Sequence, residues 1–266
     1  MLIVCTWPLI KGWQRRSRYQ LIREIPTKTP ATAEVGETAL ITGEVCRIDG
    51  QITSPVANET GALTAWSISE WHDESTQLKY WSPVARGLQS TTLRIGNDKQ
   101  CVVLPDKGHE AATDSTTSIF GYGAVTGFEI EKHIVELDAF STEEEIPQNE
   151  PPPERLRRME NQVGLEEPDE GMTLVDFGRT HGTRRYRETV LTEGDTITVR
   201  GTIATADQAG SPPVVTPPAN GPIVLSNMDA DSLAWRYRWN YWKLFYGGIA
   251  IVLTMMLLAT LVVVGS

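Results

Sequence analysis

Residues 35–45 read Val-Gly-Glu-Thr-Ala-Leu-Ile-Thr-Gly-Glu-Val, and residues 193–203 read Glu-Gly-Asp-Thr-Ile-Thr-Val-Arg-Gly-Thr-Ile. The two stretches share one layout: a turn of glycine, an acidic residue and threonine, then an alternating strand, then a second glycine. A glycine inside a strand lets the chain bend or bulge. Strands of this kind begin many small barrels, so the echo favours a barrel of the OB type, although two copies do not make a repeat protein.

Other strand-like runs are separated by turn signals about every 8–12 residues, the spacing typical of an all-β sandwich or barrel. The runs at 93–95 and 101–104 flank a Gly-Asn-Asp-Lys turn and predict a hairpin. The sequence therefore predicts a mainly β fold, a small barrel or sandwich, with a short helical insertion and a C-terminal transmembrane helix. The predicted strands are Glu37–Ile48, Gly61–Trp71, Leu93–Ile95, Cys101–Leu104, Thr126–Ile130, His133–Leu137 and Ile197–Ala204.

Two segments interrupt the strand pattern. Residues 143–171 carry acidic runs around Pro-Pro-Pro, and residues 207–222 are rich in proline, glycine and alanine. We interpret the first as a solvated loop around one short helix at Glu154–Val163, rather than as a binding tail. The predicted parts are an apolar and basic anchor and connector at 1–28, a β-rich domain at 29–225, a juxtamembrane helix at 226–243 and a span at 244–264.

The stretch Leu244–Val264 has 21 residues without a charge. At 1.5 Å per residue a helix of this length reaches about 30 Å, the thickness of a bilayer's hydrocarbon core. A buried core helix is the alternative, but such helices rarely run this far without a polar face. The helix is expected to start within Ser226–Leu233, with Ser226 or Asn227 as its cap. Aromatic and basic side chains before the span are predicted to lie at the membrane interface: Trp235, Arg236, Tyr237, Arg238, Trp239, Trp242 and Lys243.

The formal net charge of −10 hides a segregation. Residues 1–23 hold five bases and residues 235–266 hold three, and neither segment has an acid. The middle, 24–234, holds all 34 acids and the other 16 of the 24 bases, a net −18. The basic collars fit anionic lipid headgroups, whereas the acidic body argues against nucleic acid as a partner. The acidic surplus also fits a salt-rich cytoplasm such as that of a halophilic archaeon.

The charges around the span predict an orientation. Bases precede residues 244–264 and none follows, so the positive-inside rule places the β-rich domain in the cytoplasm and Ser266 outside. At the other end, Met1–Ile10 is apolar except for Thr6 but too short to span. It reads as an interfacial anchor or a truncated first span, and not as a signal peptide, because the charges follow the apolar run. The expected location is the cell membrane, with one C-terminal span and this second, N-terminal candidate anchor.

Metal and catalytic signatures are missing from the sequence. Cys5, Cys46 and Cys101 are far apart and no Cys-x-x-Cys occurs, whereas a binuclear zinc module needs about eight paired ligands. No Gly-x-Ser-x-Gly occurs either. We therefore expect no catalytic residue, no metal site and no cofactor.

Isolated polar clusters have ordinary interpretations. His72-Asp73-Glu74 and His109-Glu110 are read as solvated loops rather than as metal or acid–base sites. His133 is expected to be a packed or edge histidine in a strand, and Cys101 a small core residue.

One basic patch stands out in the acidic body. It comprises Arg179, His181, Arg184, Arg185 and Arg187. Such a patch can hold a phosphate, a lipid headgroup or an acidic partner. Alternatively, it pairs with the nearby acidic insertion.

A family resemblance is carried by motifs in a fixed order. They are TPATAEVGETALITGEV (29–45), Ser54-Pro55 with a strand ending Trp66-Ser-Ile-Ser-Glu70, LRIGNDKQCVVLPDKG (93–108), YRETVLTEGDTITVRGTI (186–203) and the tail helix. In this order they resemble the membrane-proximal GIDE-type, or beside-a-membrane, domain of the mitochondrial membrane-anchored RING-type E3 ubiquitin ligase family, which has archaeal relatives.

The resemblance implies a relationship to ubiquitin transfer, with three departures. In the family, ligase activity resides in a C-terminal RING, and this sequence has no RING pattern. A cysteine that the family often carries after Ser-Pro aligns with Gly61. The family's first span is short or absent in this sequence. Separately, the eukaryotic relatives place the domain between two membranes, which runs against the orientation expected from the charges.

The sequence as a whole predicts a membrane-anchored, non-catalytic scaffold or partner-binding protein, whose partners are membrane lipids and a protein. The first alternative is an E3-like subunit of a ubiquitin-like conjugation system whose catalysis another chain supplies. The second is a sensor that reads a lipid or ligand at the membrane face.

Overall fold

The computed structural model describes residue 16 and residues 19–73, 79–97, 101–104, 108–113, 127–130, 133–166, 179–206 and 210–264. The chain divides into two compact units, one of Lys28–Met228 and a smaller one of Met1–Thr27 with Asp229–Ser266. The candidate anchor Met1–Ile10 lies outside the described residues, as do Thr126 and the end of the acidic insertion after residue 166.

Strands dominate the larger unit, which confirms the prediction of a mainly β chain. The acidic insertion contains helix α1 (Glu154–Gln162), and the C-terminal part of the chain forms helix α2 (Ala230–Val264). The strands are β1 (Thr27–Lys28), β2 (Thr38–Asp49), β3 (Ile52–Thr53), β4 (Thr60–Gly61), β5 (Leu63–Asp73), β6 (Lys79–Ser90), β7 (Thr92–Gly96), β8 (Cys101–Leu104), β9 (Gly108–Thr113), β10 (Gly127–Ile130), β11 (His133–Glu136), β12 (Thr142–Ile146), β13 (Arg184–Leu191), β14 (Thr196–Ala204), β15 (Val214–Thr216) and β16 (Ile223–Ser226).

A small barrel forms the centre of the larger unit. One sheet has the order β1-β2-β7-β8-β15-β14-β16-β11-β10, and β2 also pairs with β14. The strands β2, β7, β8, β15 and β14 therefore close into a five-strand ring, as the sequence predicted. The expected hairpin is present too, because β7 and β8 pair antiparallel from Leu93 opposite Leu104 to Gly96 opposite Cys101.

The two echoing stretches are partners in this barrel. They form β2 and β14, which run antiparallel with Ile41 opposite Val199, its counterpart in the echo. The amide of Gly36 donates to the carbonyl of Ile203 at 2.7 Å, and the equivalent amide of Gly194 donates to the carbonyl of Val45 at 2.9 Å. The two strands are thus related by an approximate two-fold axis that passes between Ile41 and Val199. Both turn glycines have a φ near +90°, a conformation that glycine adopts without strain.

The second glycine of each echo gives room to a neighbouring strand. A Cβ added to Gly201 would lie 2.3 Å from Cγ1 of Val215, and one added to Gly43 would lie 3.0 Å from Cγ2 of Ile95. The sequence predicted that these glycines mark bends or bulges. For β2 this was wrong, because the bulge of β2 against β7 lies between Val45 and Arg47 and not at Gly43. Close packing of strands, rather than bending, requires glycine here.

The second sheet is antiparallel and packs between the barrel and α1. Its order is β12-β13-β5-β6-β9. Leu63, Ala65 and Leu88 of this sheet join the barrel core. Its opposite face carries Trp66 and Ile68, which pack against α1. The barrel core comprises Ala39, Ile41, Val45, Ala62, Leu63, Ala65, Leu88, Leu93, Ile95, Val102, Leu104, Val135, Leu137, Leu191, Ile197, Val199, Ile203, Val215, Ile223 and Leu225, and the smaller core under α1 comprises Val56, Trp66, Ile68, Ala85, Leu156, Met159 and Tyr186.

Several predicted loops are strands of this second sheet. The acidic run 143–145, expected in a solvated loop, lies in β12 and pairs with the arginine-rich β13. Opposite charges across the two strands stabilise a pairing that the residues' own low strand propensity disfavours. His72 and Asp73 lie in β5, and His109 and Glu110 in β9, so the loop interpretation was wrong for both pairs; Glu74 lies outside the described residues. The short helix of the insertion is confirmed as α1.

The helix α2 runs for 35 residues and is capped by Asp229. Its Oδ1 accepts a hydrogen bond from the Ser232 amide at 2.9 Å, and Oδ2 accepts one from the Ser232 hydroxyl at 2.7 Å. These bonds lower the pKa of the Asp229 carboxyl. The caps expected from the sequence, Ser226 and Asn227, instead accept hydrogen bonds from the amides of Met228 and Asp138.

The predicted span at 244–264 lies within α2. Among the described residues, no helix combines the length and the apolar character that crossing a membrane requires, so the structure does not support the predicted transmembrane helix. Residues 251–252 and 255–264 are described by their helical backbone alone.

The close approach at Gly201 predicts a stability effect. Gly201→Ala should lower the free energy of unfolding by about 1–3 kcal/mol, because its methyl group would overlap Val215 across β14 and β15. Thermal unfolding of the purified full chain measures this. Gly247→Ala is the matched control, since a Cβ there meets nothing within 4 Å. Equal melting temperatures for the two variants would contradict the prediction.

Candidate functional site

Strand alternation divides the predicted basic patch. Successive residues of β13 point to opposite faces of the second sheet. Arg184, Tyr186 and Glu188 therefore point toward α1, on what we call the helix face, whereas Arg185 and Arg187 point to the other side. The five residues predicted as one contact surface thus serve two separate environments.

On the helix face, Arg184 belongs to a buried ion network. Its guanidinium lies 2.7 Å from Oε1 of Glu160 and 3.3 Å from Oε2 of Glu70, and it also donates to the carbonyl of Glu166. The Tyr186 hydroxyl donates to the same Glu160 oxygen at 2.6 Å. Burial, and then this hydrogen bond, raise the pKa of Tyr186 far above its usual value. The network fastens α1 to the sheet, so Arg184 has a structural role.

A second buried acid lies deeper on the helix face. Glu188 is 0% exposed, and its Oε2 accepts hydrogen bonds from the amides of Val56 at 3.0 Å and Ala57 at 2.7 Å. The Thr64 hydroxyl donates to its other oxygen. The carboxylate therefore fixes the segment that follows Ser54-Pro55. Sequence reasoning missed this residue, although an acid at an inward position of an alternating strand is a signal that it has a partner.

The family cysteine could not replace Gly61 in this packing. A Cβ at Gly61 would lie 2.4 Å from Cγ1 of Val190 and 2.8 Å from the carbonyl oxygen of Leu191. The glycine at this position therefore reflects a close approach of β13.

The opposite side of the sheet carries arginines stacked on aromatic rings. We call it the arginine face and define it by Arg179, Arg185, Arg187, Trp71 and Trp81. The guanidinium of Arg185 lies 4.2 Å from the Trp81 ring centroid, and that of Arg179 lies 5.5 Å from Trp81 and 5.7 Å from Trp71. Such cation–π contacts are favourable, and more so where the groups are desolvated.

Acidic residues of β12 balance part of this charge. Arg179 donates to both carboxylate oxygens of Glu145, at 2.7 and 2.9 Å, and these bonds raise its pKa. Arg185 lies 4.0 Å from Glu143. These two arginines therefore have acidic neighbours within the insertion.

Arg187 is the exception on the arginine face. It is 5% exposed and lies over the Phe140 ring at 4.7 Å. Burial, and then the neighbouring Arg185, lower its pKa to about 10. Within the described part of the chain, neither its Nε nor the hydroxyl of Ser67, its cross-strand neighbour, has a hydrogen-bond partner. A buried cation with an unmet donor is costly for folding, which marks this position as a candidate binding residue.

His72 lies in β5, His133 in β11 and His181 in the turn before β13. The Nδ1 of His181 accepts a hydrogen bond from the Asp73 amide at 3.1 Å, and its ring meets His72 edge-on at 5.3 Å. His133 is buried in β11, as expected. Among the residues that the structure describes, no group of three or more His, Cys, Asp or Glu side chains could hold a metal ion.

The predicted interface residues lie near the start of α2. Trp235, Trp239 and Trp242 are 55%, 48% and 50% exposed, and Arg238 and Lys243 are exposed as well. Trp235 and Trp239 stack at 6.0 Å, and Lys243 lies 5.1 Å from the Trp239 ring. Two of the predicted interface residues are less exposed than the others: Tyr237 is buried and Arg236 is half-buried.

A family model described as GIDE, E3 ubiquitin ligase, matches residues 154–262. The GIDE-type resemblance is confirmed. The matched segment begins at α1 and ends within α2, so it includes β13 and its arginines but excludes β1–β12, which carry Glu70, Trp71 and Trp81. No curated protein and no solved structure gives a significant match to the chain.

The two arginine environments predict opposite mutational behaviour. Arg184→Leu should lower the free energy of unfolding by about 3–5 kcal/mol, because it leaves the carboxylates of Glu160 and Glu70 buried without their cation. Arg187→Leu should change it by less than about 1 kcal/mol, since it removes a buried charge that burial already disfavours. Thermal or denaturant unfolding at neutral pH measures both. Equal losses in the two variants would contradict this assignment.

Proposed function

We propose that this chain is a non-catalytic partner-binding protein held at a membrane by α2. Residues 244–264 carry no charge, and three half-exposed tryptophans precede them. Tryptophan favours the membrane–water interface. The confirmed GIDE-type resemblance supports membrane attachment, since that domain lies beside a membrane in the ligase family.

The arginine face is the observation that carries the partner-binding proposal. Tryptophan and arginine are the residues most enriched among interface hot spots. Here Trp71 and Trp81 form a platform for Arg179 and Arg185, and Arg179 is half-exposed. A protein partner with carbonyl or carboxylate groups would accept hydrogen bonds from the exposed part of the Arg179 guanidinium.

A role without catalysis agrees with the use of the other polar side chains. Arg184, Glu188 and His181 each hold parts of the larger unit together through buried hydrogen bonds. None of them is left to act as a nucleophile or as a base toward a substrate. Binding therefore explains the described site better than chemistry does.

The anchoring part of the proposal is tested by truncation. Deleting residues 244–266 should move the protein from the carbonate-resistant membrane fraction to the soluble fraction, because the uncharged stretch supplies the insertion energy. Trp235→Ser with Trp239→Ser is the control, which should keep the protein in the membrane. Full carbonate resistance of the truncated protein would show that α2 is not the principal anchor.

The charges around the span support a cytoplasmic larger unit. Cysteine labelling in intact cells tests this orientation in a variant whose three native cysteines are serine. Ser266→Cys should react with a membrane-impermeant reagent, whereas Ser211→Cys, in the segment just before β15, should not. The reverse pattern would place the domain outside, as in the eukaryotic relatives.

Site-specific photo-crosslinking tests partner binding by the arginine face. A photoreactive residue in place of Arg179 should form one dominant protein adduct in native membranes, and the same residue in place of the exposed Arg158 on α1 should not. Arg185→Ala should lower the adduct yield about tenfold, the effect of losing one hot-spot residue. Equal adducts at both positions, or no effect of Arg185→Ala, would exclude this face as the interface.

The family match favours one second candidate, a transfer subunit of a ubiquitin-like system. Purified chain alone should not accelerate discharge of a ubiquitin-like protein from its carrier enzyme, because RING-type transfer needs zinc-ordered structure. Discharge that appears only after a copurifying carrier or RING-like protein is added would favour this candidate. Discharge by the chain alone would overturn the non-catalytic proposal.

A further inference from the structure

A cleft in the smaller unit brings together the two basic collars of the sequence. It has a volume of about 570 Å³ and is lined by Arg16, Tyr19, Gln20, Arg23, Arg238 and Trp242. The first four residues come from the N-terminal segment and the last two from α2. More than 200 residues of chain separate the two sets, so their convergence is a property of the fold.

The described lining of the cleft is basic. It includes three arginines and no acidic residue. Within the described chain, no ion pair joins Arg16, Arg23 or Arg238 to a carboxylate, in contrast to Arg184 and Arg185 of β13. Like charges brought together repel unless an anion lies between them. The cleft therefore has the composition of an anion site, in a protein whose formal net charge is −10.

Aromatic rings lie beside the arginines of the cleft. The guanidinium of Arg23 lies 5.9 Å from the Tyr19 ring, and Trp242 is half-exposed. Trp242 comes two residues before the uncharged stretch, and at 1.5 Å per residue Arg238 lies about 9 Å before it along the helix. Tyrosine, tryptophan and arginine at this distance from an apolar segment occupy the headgroup layer.

We propose that this cleft binds the phosphate of an anionic phospholipid headgroup. The arginines supply paired N–H donors with the geometry that phosphate oxygens accept, and Gln20 supplies an amide donor. Tyr19 and Trp242 lie against the glycerol and upper acyl region. The proposal rests on the proposed attachment of α2 to a membrane. It goes beyond that attachment, because it assigns a particular lipid class to particular residues.

The experiment uses the purified full chain in vesicles of phosphatidylcholine with a minority of phosphatidylglycerol. After extraction, native mass spectrometry measures the phosphatidylglycerol bound to each chain. Wild type should retain phosphatidylglycerol over phosphatidylcholine. Each of Arg16→Gln, Arg23→Gln and Arg238→Gln should weaken retention about fivefold, the worth of one cation beside an anionic lipid. Lys243→Gln is the matched control, because Lys243 is a neighbouring base that does not line the cleft, and its retention should stay within about twofold of wild type.

Two results would overturn the inference. Equal losses in Lys243→Gln and the three arginine variants would show diffuse surface attraction rather than a site. Displacement of phosphatidylglycerol by excess inorganic phosphate, with the same dependence on the three arginines, would identify a free phosphate ligand instead of a lipid. Carbonate extraction of the same vesicles keeps the proposed function separate: a chain that resists extraction but shows no lipid preference refutes the site alone, and a chain that is extracted refutes the attachment.

Discussion

The pairing of β2 with β14 is the contact on which the larger unit depends. Without it, the nine-strand sheet would be open, with two long edges of unpaired backbone groups. The pairing joins residues more than 150 positions apart, and the cross-strand threonine pairs Thr38–Thr202 and Thr42–Thr198 reinforce it at 2.7 and 2.8 Å. The closed barrel in turn supports one end of the second sheet, which presents the helix face and the arginine face.

The barrel could be predicted because its signals are local in the sequence. The strand that was not predicted depends on pairing with a distant segment of the chain. Alternation and turn glycines identified β2, β14 and the β7–β8 hairpin, because these signals lie within each strand. The strand β12 could not be found in this way, since Glu143 and Glu145 are poor strand formers that pair only because arginines of β13 face them.

The sequence alone could have predicted that the basic patch is divided between the two faces of a strand. A period of two along residues 184–188 places Arg184 and Arg187 on opposite faces once the segment is known to be a strand. What the sequence could not show is which face holds the carboxylates of Glu70 and Glu160. Those acids come from β5 and α1, and only the fold brings them to Arg184. Arginines that look equivalent in the sequence and are almost equally buried therefore differ in their partners.

The family match covers only part of the barrel. The matched residues 154–262 contain β14 and β15 but not β2, β7 or β8. They therefore include two of the five strands of the ring, and they include Glu188 without the amides of Val56 and Ala57 that it binds. A fragment cut at these bounds would keep β14 paired with β15 and β16, but it would expose the edge of β14 that pairs with β2 and leave Glu188 without those partners. The residues that the family model matches are thus fewer than the residues that form the barrel.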